Sequence, residues 1–513
     1  MAWHRERPGR LAAAVRRRIA PRFAPLLALV ALALAMPAAA DSRLEAALPE
    51  IRRSFADWMR DNRVPGLVWG IVTPAGLAHA ESAGLADLAS GAPVTAATAF
   101  RIASMSKAFT GLSILMLRDA GRLRLDDPVA AHIPETAGWA PATPDSPAIT
   151  VGDLLHHTAG FVTDDPWGDR QQPMPEADFS RLLAAGVPMT RGTGTAFEYS
   201  NLGYAMLGRI ITNRSGRPYQ QQVADTLLRP LGMAATTYDV RAVPRETLAK
   251  GYRFEGGRWV PEPEMADGAF GAMGGVVTTA ADYAKWMAFL LSAWPAGEEG
   301  SGPAARATVR AMATAGGPPQ ARPRPGSSAC RMAVGYGAGL LVAEDCDLGR
   351  VLFHGGGYPG YGSHMLVLPE AGVGVFAFAN RTYAGPAGPA WDAALALRRT
   401  GFANPRAIPV SPALAAAYAA AARAWAAGRI DAVPGALAMN MLLDRSAEGW
   451  RAEFQRLKSE LGRCDTSAPV TATGALSGRF QWRCDFGRLD GQILLAPTPS
   501  PEIQALRLAI AGR

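Results

Sequence analysis

A short apolar run from Leu67 to Val72, followed by Pro74 and Gly76 and then a second short run, predicts an early β-hairpin. Further on, the periodicity becomes helical. Ser104 to Leu117 is almost wholly apolar apart from Ser, Thr and Lys107, which predicts a helix buried on every side and stopping by Gly121 at a C-terminal cap. Leu340 to Arg381 instead alternates β-branched and apolar residues with Gly and Pro turns, the pattern of antiparallel strands. Helices between an early hairpin and late strands predict an α+β fold whose first and last elements share one sheet.

All periodicity stops between Thr400 and Pro412, where Gly401, Pro405 and Pro409 intervene. Ser411 and Pro412 then suit the N-cap and first turn of an Ala-rich helix ending at Gly428. Trp450, Phe454, Leu457 and Leu461 mark one face of another helix, and Phe480 to Cys484 and Gln492 to Leu495 are strand-like. Residues 403–513 are therefore expected to form a small α+β domain of about a hundred residues behind a main domain at 41–402.

With 49% hydrophobic and 19% charged residues in a chain of 513, a sizeable core is available. The formal charge of +8 misleads, because residues 1–40 hold seven Arg against one Glu and so carry six of those eight charges. What remains gives no nucleic-acid footprint. Those forty residues read as an export signal, with Arg16 to Arg18, an apolar run from Leu26 to Met36, and Ala38 to Ala40 before Asp41. Cleavage after Ala40 would release a periplasmic or secreted protein with no stable membrane span. The apolar run is short of the roughly 20 residues a transmembrane helix needs, an uncleaved anchor being the alternative.

An oxidising compartment would let the four cysteines pair locally, Cys330 with Cys346 and Cys464 with Cys484, each pair bracketing a strand and turn. Two other connectivities, or four free thiols, are the alternatives. No HExxH is present and seven His with paired Cys make no metal signature, so neither metal nor cofactor is expected.

Three clusters carry chemistry. Ser104-Met105-Ser106-Lys107 places a hydroxyl and an amine one helical turn apart in an apolar helix. A serine hydroxyl needs a neighbouring base, which a desolvated lysine supplies once its pKa falls. Only four of the 52 basic residues are Lys, and Arg could not replace this one, since its guanidinium does not deprotonate. Tyr199-Ser200-Asn201 offers a phenol to pass protons and an amide to hold a carbonyl, although a turn Tyr with a capping Asn has the same spelling. His354-Gly355-Gly356-Gly357 lets backbone approach a ligand and can supply an oxyanion-hole N–H. An HGGG run also occurs in α/β-hydrolases, but their GxSxG elbow is absent from this chain. For His156 and His157, packing or hydrogen bonding is the expected role.

In the order SxxK, YxN, HxG, these clusters resemble the serine β-lactamase and penicillin-binding protein superfamily. The branch most similar holds class C β-lactamases, D-alanyl-D-alanine carboxypeptidases, D-aminopeptidases and esterases. Phe100-Arg101-Ile102-Ala103-Ser104, Leu125-Asp126-Asp127-Pro128-Val129, Ile149 to Gly160 and Gly271 to Asp282 extend the resemblance over roughly Leu44 to Tyr383. It implies a β-lactamase-like fold, an antiparallel sheet flanked by helices plus a helical subdomain. It also implies acylation of Ser104, with Lys107 and Tyr199 sharing base and acid duties. Asn201 would orient the acyl amide, His354, Gly355, Gly356 and Gly357 would line the substrate, and the N–H groups of Ser104 and Gly357 would form the oxyanion hole. Gly355 departs from the β-lactamase pattern, where a Thr or Ser hydroxyl commonly helps bind a carboxylate, and His354 stands where those enzymes have Lys. An ester or peptide substrate is therefore expected ahead of a β-lactam or D-alanyl-D-alanine peptide. A penicillin-binding sensor that acylates without turnover, or a wall-binding or oligomerising role for residues 403–513, are the other readings.

Overall fold

Alternation along Gly66–Thr73 (β1) sends Trp69 and Ile71 to one face of a sheet and Val68 and Val72 to the other, and all four are buried because both faces are covered. The computed structural model describes residues 41–296 and 300–512; the expected export signal at 1–40 lies outside them. Eight further strands join β1: β2 Gly76–Asp87, β3 Ala92–Pro93, β4 Gly316–Arg324, β5 Ser327–Tyr336, β6 Leu341–Asp345, β7 Gly349–Tyr358, β8 Tyr361–Leu368 and β9 Val373–Ala379. They make one antiparallel sheet in the order β3-β2-β1-β9-β8-β7-β6-β5-β4. The early hairpin thus closes onto the last strand, Leu67 opposite Ala379 through Val72 opposite Gly374, as the hydrophobic pattern predicts.

On one face lie α1 (Ser42–Asp61) and a late helix, Ala387–Arg399. Leu48, Ile51 and Phe55 of the first and Trp391 and Leu397 of the second pack over Trp69, Phe353 and Leu366. Phe55 stacks on Trp69 with ring centroids 5.0 Å apart. The opposite face carries α2 (Lys107–Asp119), α3 (Val151–His156), α4 (Asn201–Ser215) and α5 (Ala280–Leu291). Phe109 of α2 lies 4.2 Å from Trp286 of α5, ring centroid to ring centroid.

The SxxK segment differs from expectation in one respect. Its first turn, Ala103–Ser106, is a 3₁₀ turn, and α-helix begins only at Lys107. Ala103 has φ +50°, a left-handed conformation that is strained for a residue with a Cβ. The helical run accordingly cannot extend back past Ala103.

In the C-terminal region, Ser411 caps its helix, Pro412–Ala427, by accepting from the Leu414 N–H, and Gly428 ends it at φ +68°. Trp425, Trp450, Phe454, Leu457, Phe480, Trp482 and Leu489 enclose a core of their own between this helix, Ala447–Leu461 and a five-stranded antiparallel sheet. The cysteines pair locally, Cys330 with Cys346 in the large sheet and Cys464 with Cys484 in the small one. Among the described residues, no helix is long and apolar enough to cross a membrane.

Gly111, in the middle of α2, touches the turn between β5 and β6; a Cβ there would sit 2.6 Å from the Ala338 carbonyl. Alanine would gain about 0.5–1 kcal/mol of helix propensity, but overpacking against backbone costs about 1–3 kcal/mol. Gly111→Ala is therefore expected to lower the thermal unfolding midpoint, the reverse of the usual glycine-to-alanine effect in a helix. A raised midpoint in calorimetry would refute the packing account.

Candidate active site

The strained turn at Ala103 aims Ser104 outward while Lys107, first residue of α2, stays inside. Ser104 is 7% exposed and Lys107 is 0% exposed. The backbone of β7 holds this turn in place. A Cβ on Gly356 would lie 2.4 Å from the Ile102 carbonyl, so only glycine permits the strand to press so close. Ser363 of the next strand donates to that same carbonyl at 2.8 Å. On the other side, Gly271–Gly274 supplies carbonyls to α2: Thr110 donates to Ala272 at 2.6 Å and Lys107 Nζ to Met273 at 2.8 Å.

Lys107 Nζ has two further neighbours, Asn201 Oδ1 at 2.7 Å and Ser104 Oγ at 3.1 Å. Asn201 Nδ2 donates to Asp165 Oδ1, which fixes the orientation of its amide. Met273 O and Asn201 Oδ1 can only accept. A neutral amine satisfies both with its two N–H groups and has its lone pair left for the Ser104 hydroxyl. Burial drives Lys107 toward that form, pushing its pKa down to about 8 against the opposing charges of Asp165, Asp169 and Asp164.

Tyr199 completes the group from the opposite side, with its hydroxyl 2.9 Å from Ser104 Oγ. Burial, then the Asp165 charge, hold this phenol well above its usual range, so it is a proton donor and not a phenolate. Ser104 Oγ thus lies between an amine able to take a proton and a phenol able to give one. Ser200 caps α4 by accepting from the Gly203 N–H, and the Asp164 carboxylate accepts from the N–H groups of Asn201 and Leu202 at 2.6 and 2.8 Å. These contacts place Tyr199 just ahead of a fixed helix end.

Asn201 is fully buried, and its amide is engaged by Lys107 and Asp165. In this conformation it holds the amine and does not face the cavity. His354 is on the cavity wall, although only 4% exposed. Its Nδ1 donates to the Gly355 carbonyl at 2.6 Å, leaving Nε2 to accept from Tyr336 at 2.9 Å. Burial, then the Lys107 charge, push its pKa down to about 3, so it is neutral. The glycines divide their work: Gly355 and Gly357 line the cavity, whereas Gly356 seats the turn before Ser104.

A cavity of about 460 Å³ opens over Ser104. Its wall includes side chains that no linear motif marks. Asp165 comes from the loop after α3, Asp169 from the short helix Trp167–Arg170 that follows it, Arg322 from β4, Tyr336 from β5, and Tyr383 from the turn following β9. Asp169 is pushed up to about 7 by burial and by Asp165, and it accepts from Tyr383 Oη at 3.2 Å. Arg322 lies over the Phe197 ring at 5.5 Å. The doubled aspartate before Pro166 was the one sequence signal for this wall, and it reads equally well as a turn. Among the described residues no cluster of His, Cys, Asp and Glu could hold a metal.

The chain is similar to several known proteins. "Protein flp" of Staphylococcus aureus (strain MW2) is 30% identical over 288 residues, 55% of this chain and 53% of that protein. The chain thus spans about half the length of that relative. "Penicillin-binding protein 4" of Amycolatopsis lactamdurans is 28% identical over 327 residues, 61% of this chain and 80% of that protein. The octameric penicillin-binding protein homologue from Pyrococcus abyssi superposes with a TM-score of 0.57 at 20% identity, covering 90% of this chain and 99% of the other, which shows a shared fold. Residues 51–399 match the family model described as Beta-lactamase. The chain therefore belongs to the beta-lactamase family.

Proposed function

We propose that this chain is an exported serine hydrolase that works through an acyl-serine intermediate on an ester or a peptide-like amide. The observation that carries this reading is the position of Ser104 Oγ, 3.1 Å from the Lys107 amine and 2.9 Å from the Tyr199 phenol. Lys107 takes the hydroxyl proton as Oγ attacks the substrate carbonyl. The N–H groups of Ser104 and Gly357 receive the oxyanion. Tyr199 gives its proton to the leaving oxygen or nitrogen and regains one from the Lys107 ammonium. Water then attacks the acyl-serine, with the same two groups running the proton transfers in reverse. Two disulfides support an oxidising, extracytoplasmic location. Residues 403–513 form a separate domain in this reading.

Neutral His354 and bare Gly355 offer a substrate carboxylate neither charge nor hydroxyl, which favours an uncharged ester or amide over a β-lactam. A second reading, a β-lactam or D-alanyl-D-alanine peptide as substrate, is favoured by Arg322, a basic residue on the cavity wall. A panel of short acyl esters, D-amino acid amides, D-alanyl-D-alanine peptides and nitrocefin separates the two. Esters or amides are expected to turn over fastest, and rapid, sustained nitrocefin hydrolysis would reverse the order.

Ser104→Ala is expected to lower kcat by on the order of 10³ or more. Lys107→Arg should lose as much while remaining folded, because a guanidinium keeps its proton; a Lys107→Arg enzyme near wild-type activity would remove lysine from the mechanism. Since Lys107 acts as a base and its pKa is lowered to about 8, kcat/KM should fall about tenfold per pH unit below that value and level off above it. A profile flat from pH 6 to 9 would exclude the amine as base.

A further inference from the structure

Tyr199 is set between two backbone N–H groups that both donate to the same residue. Glu198 N–H donates to the His157 carbonyl at 2.8 Å, and Ser200 N–H donates to His157 Nδ1 at 3.1 Å. The imidazole lies 4.5 Å from the Tyr199 ring, centroid to centroid, and 4.3 Å from the Tyr336 ring. Its own placement is rigid. His157 ends α3 at φ +59°, and Asp153 accepts from the Thr158 hydroxyl at 2.8 Å and from the Thr158 N–H at 2.9 Å. The ring is 2% exposed.

Because Nδ1 accepts, the ring proton is on Nε2, and among the described residues nothing accepts from it. A buried N–H without a partner is unfavourable, and an apolar side chain would fill this space without one. What an apolar side chain lacks is the Nδ1 acceptor for Ser200. The imidazole is therefore explained by what it does to the segment carrying Tyr199.

We propose that His157 is a positioning residue for the Tyr199 phenol, clamping the backbone on both sides of Tyr199 and backing its ring so that the hydroxyl stays 2.9 Å from Ser104 Oγ. This rests on the reading of Ser104, Lys107 and Tyr199 as the reacting groups. His157 touches no substrate; it acts through Tyr199 alone.

Two variants separate positioning from folding. Asparagine tolerates the left-handed backbone and puts a side-chain oxygen where Nδ1 was, whereas glycine tolerates the backbone and offers no acceptor. His157→Asn is expected to hydrolyse p-nitrophenyl butyrate with kcat within about threefold of wild type. His157→Gly should lose about 10- to 100-fold in kcat, the scale of a misplacement near 1 Å, with KM little changed. In a Tyr199→Phe background the same His157→Gly change should alter the rate of Ser104 labelling by a fluorophosphonate less than about twofold. Equal losses in both backgrounds, equal losses in the Asn and Gly variants, or a loss confined to KM would overturn the proposal. A crystal structure of His157→Gly tests it without turnover: the Tyr199 hydroxyl should move away from Ser104 Oγ, and an unmoved phenol refutes it. Absence of fluorophosphonate labelling at Ser104 in the wild type would instead defeat the serine-hydrolase reading, and the crystallographic result would then decide the role of His157.

Discussion

An amine closed off from water, with two carbonyl oxygens fixed around it, is the contact on which the rest of the site depends. Met273 and Asn201 give Lys107 one acceptor for each N–H of its neutral form, and the remaining direction points to Ser104. In water the same amine would be protonated well above neutral pH. Buried, it is pushed down to about 8, and the charges of Asp165, Asp169 and Asp164 keep it from falling further. Desolvation lowers the pKa and nearby carboxylates raise it, so the poise is a balance of two large opposing effects.

That balance survives only if the backbone around it cannot relax. Ala103 is held left-handed, Gly356 brings β7 against Ile102, and Ser363 donates to the Ile102 carbonyl. Each contact involves a strand remote in sequence from the helix it supports. The strain at Ala103 is thus maintained by the sheet, whose order places β7 and β8 directly behind the SxxK turn. Residues that look like three separate motifs are one packed unit.

Much of this was legible from spacing. Ser104 with Lys107, Tyr199, and the glycine run after His354 stood out as candidate positions, and the structure brings them together. The partners of two candidate residues were not legible. His354, expected to line the substrate, is on the cavity wall, and its two ring nitrogens are engaged by Gly355 and Tyr336. Asn201, expected to orient the acyl amide, has its side-chain amide engaged by Lys107 and Asp165. Identity and spacing mark a residue as capable; they do not say which neighbour occupies its hydrogen-bonding groups.

By itself, the sequence determined the hairpin at Leu67, the buried helix around Phe109, the late strands, the capped helix after Ser411 and the SxxK, YxN, HxG order. These follow from local rules, since periodicity, capping and turn residues act over a few positions. Only the tertiary structure decided that Asp165, Asp169, Arg322 and Tyr383 share a cavity with Ser104, and that His157 grips both flanks of Tyr199. Those pairings span tens to hundreds of residues and depend on how strands stack and loops fold back. No local pattern encodes such distances, because they are set by the packing of whole elements against one another.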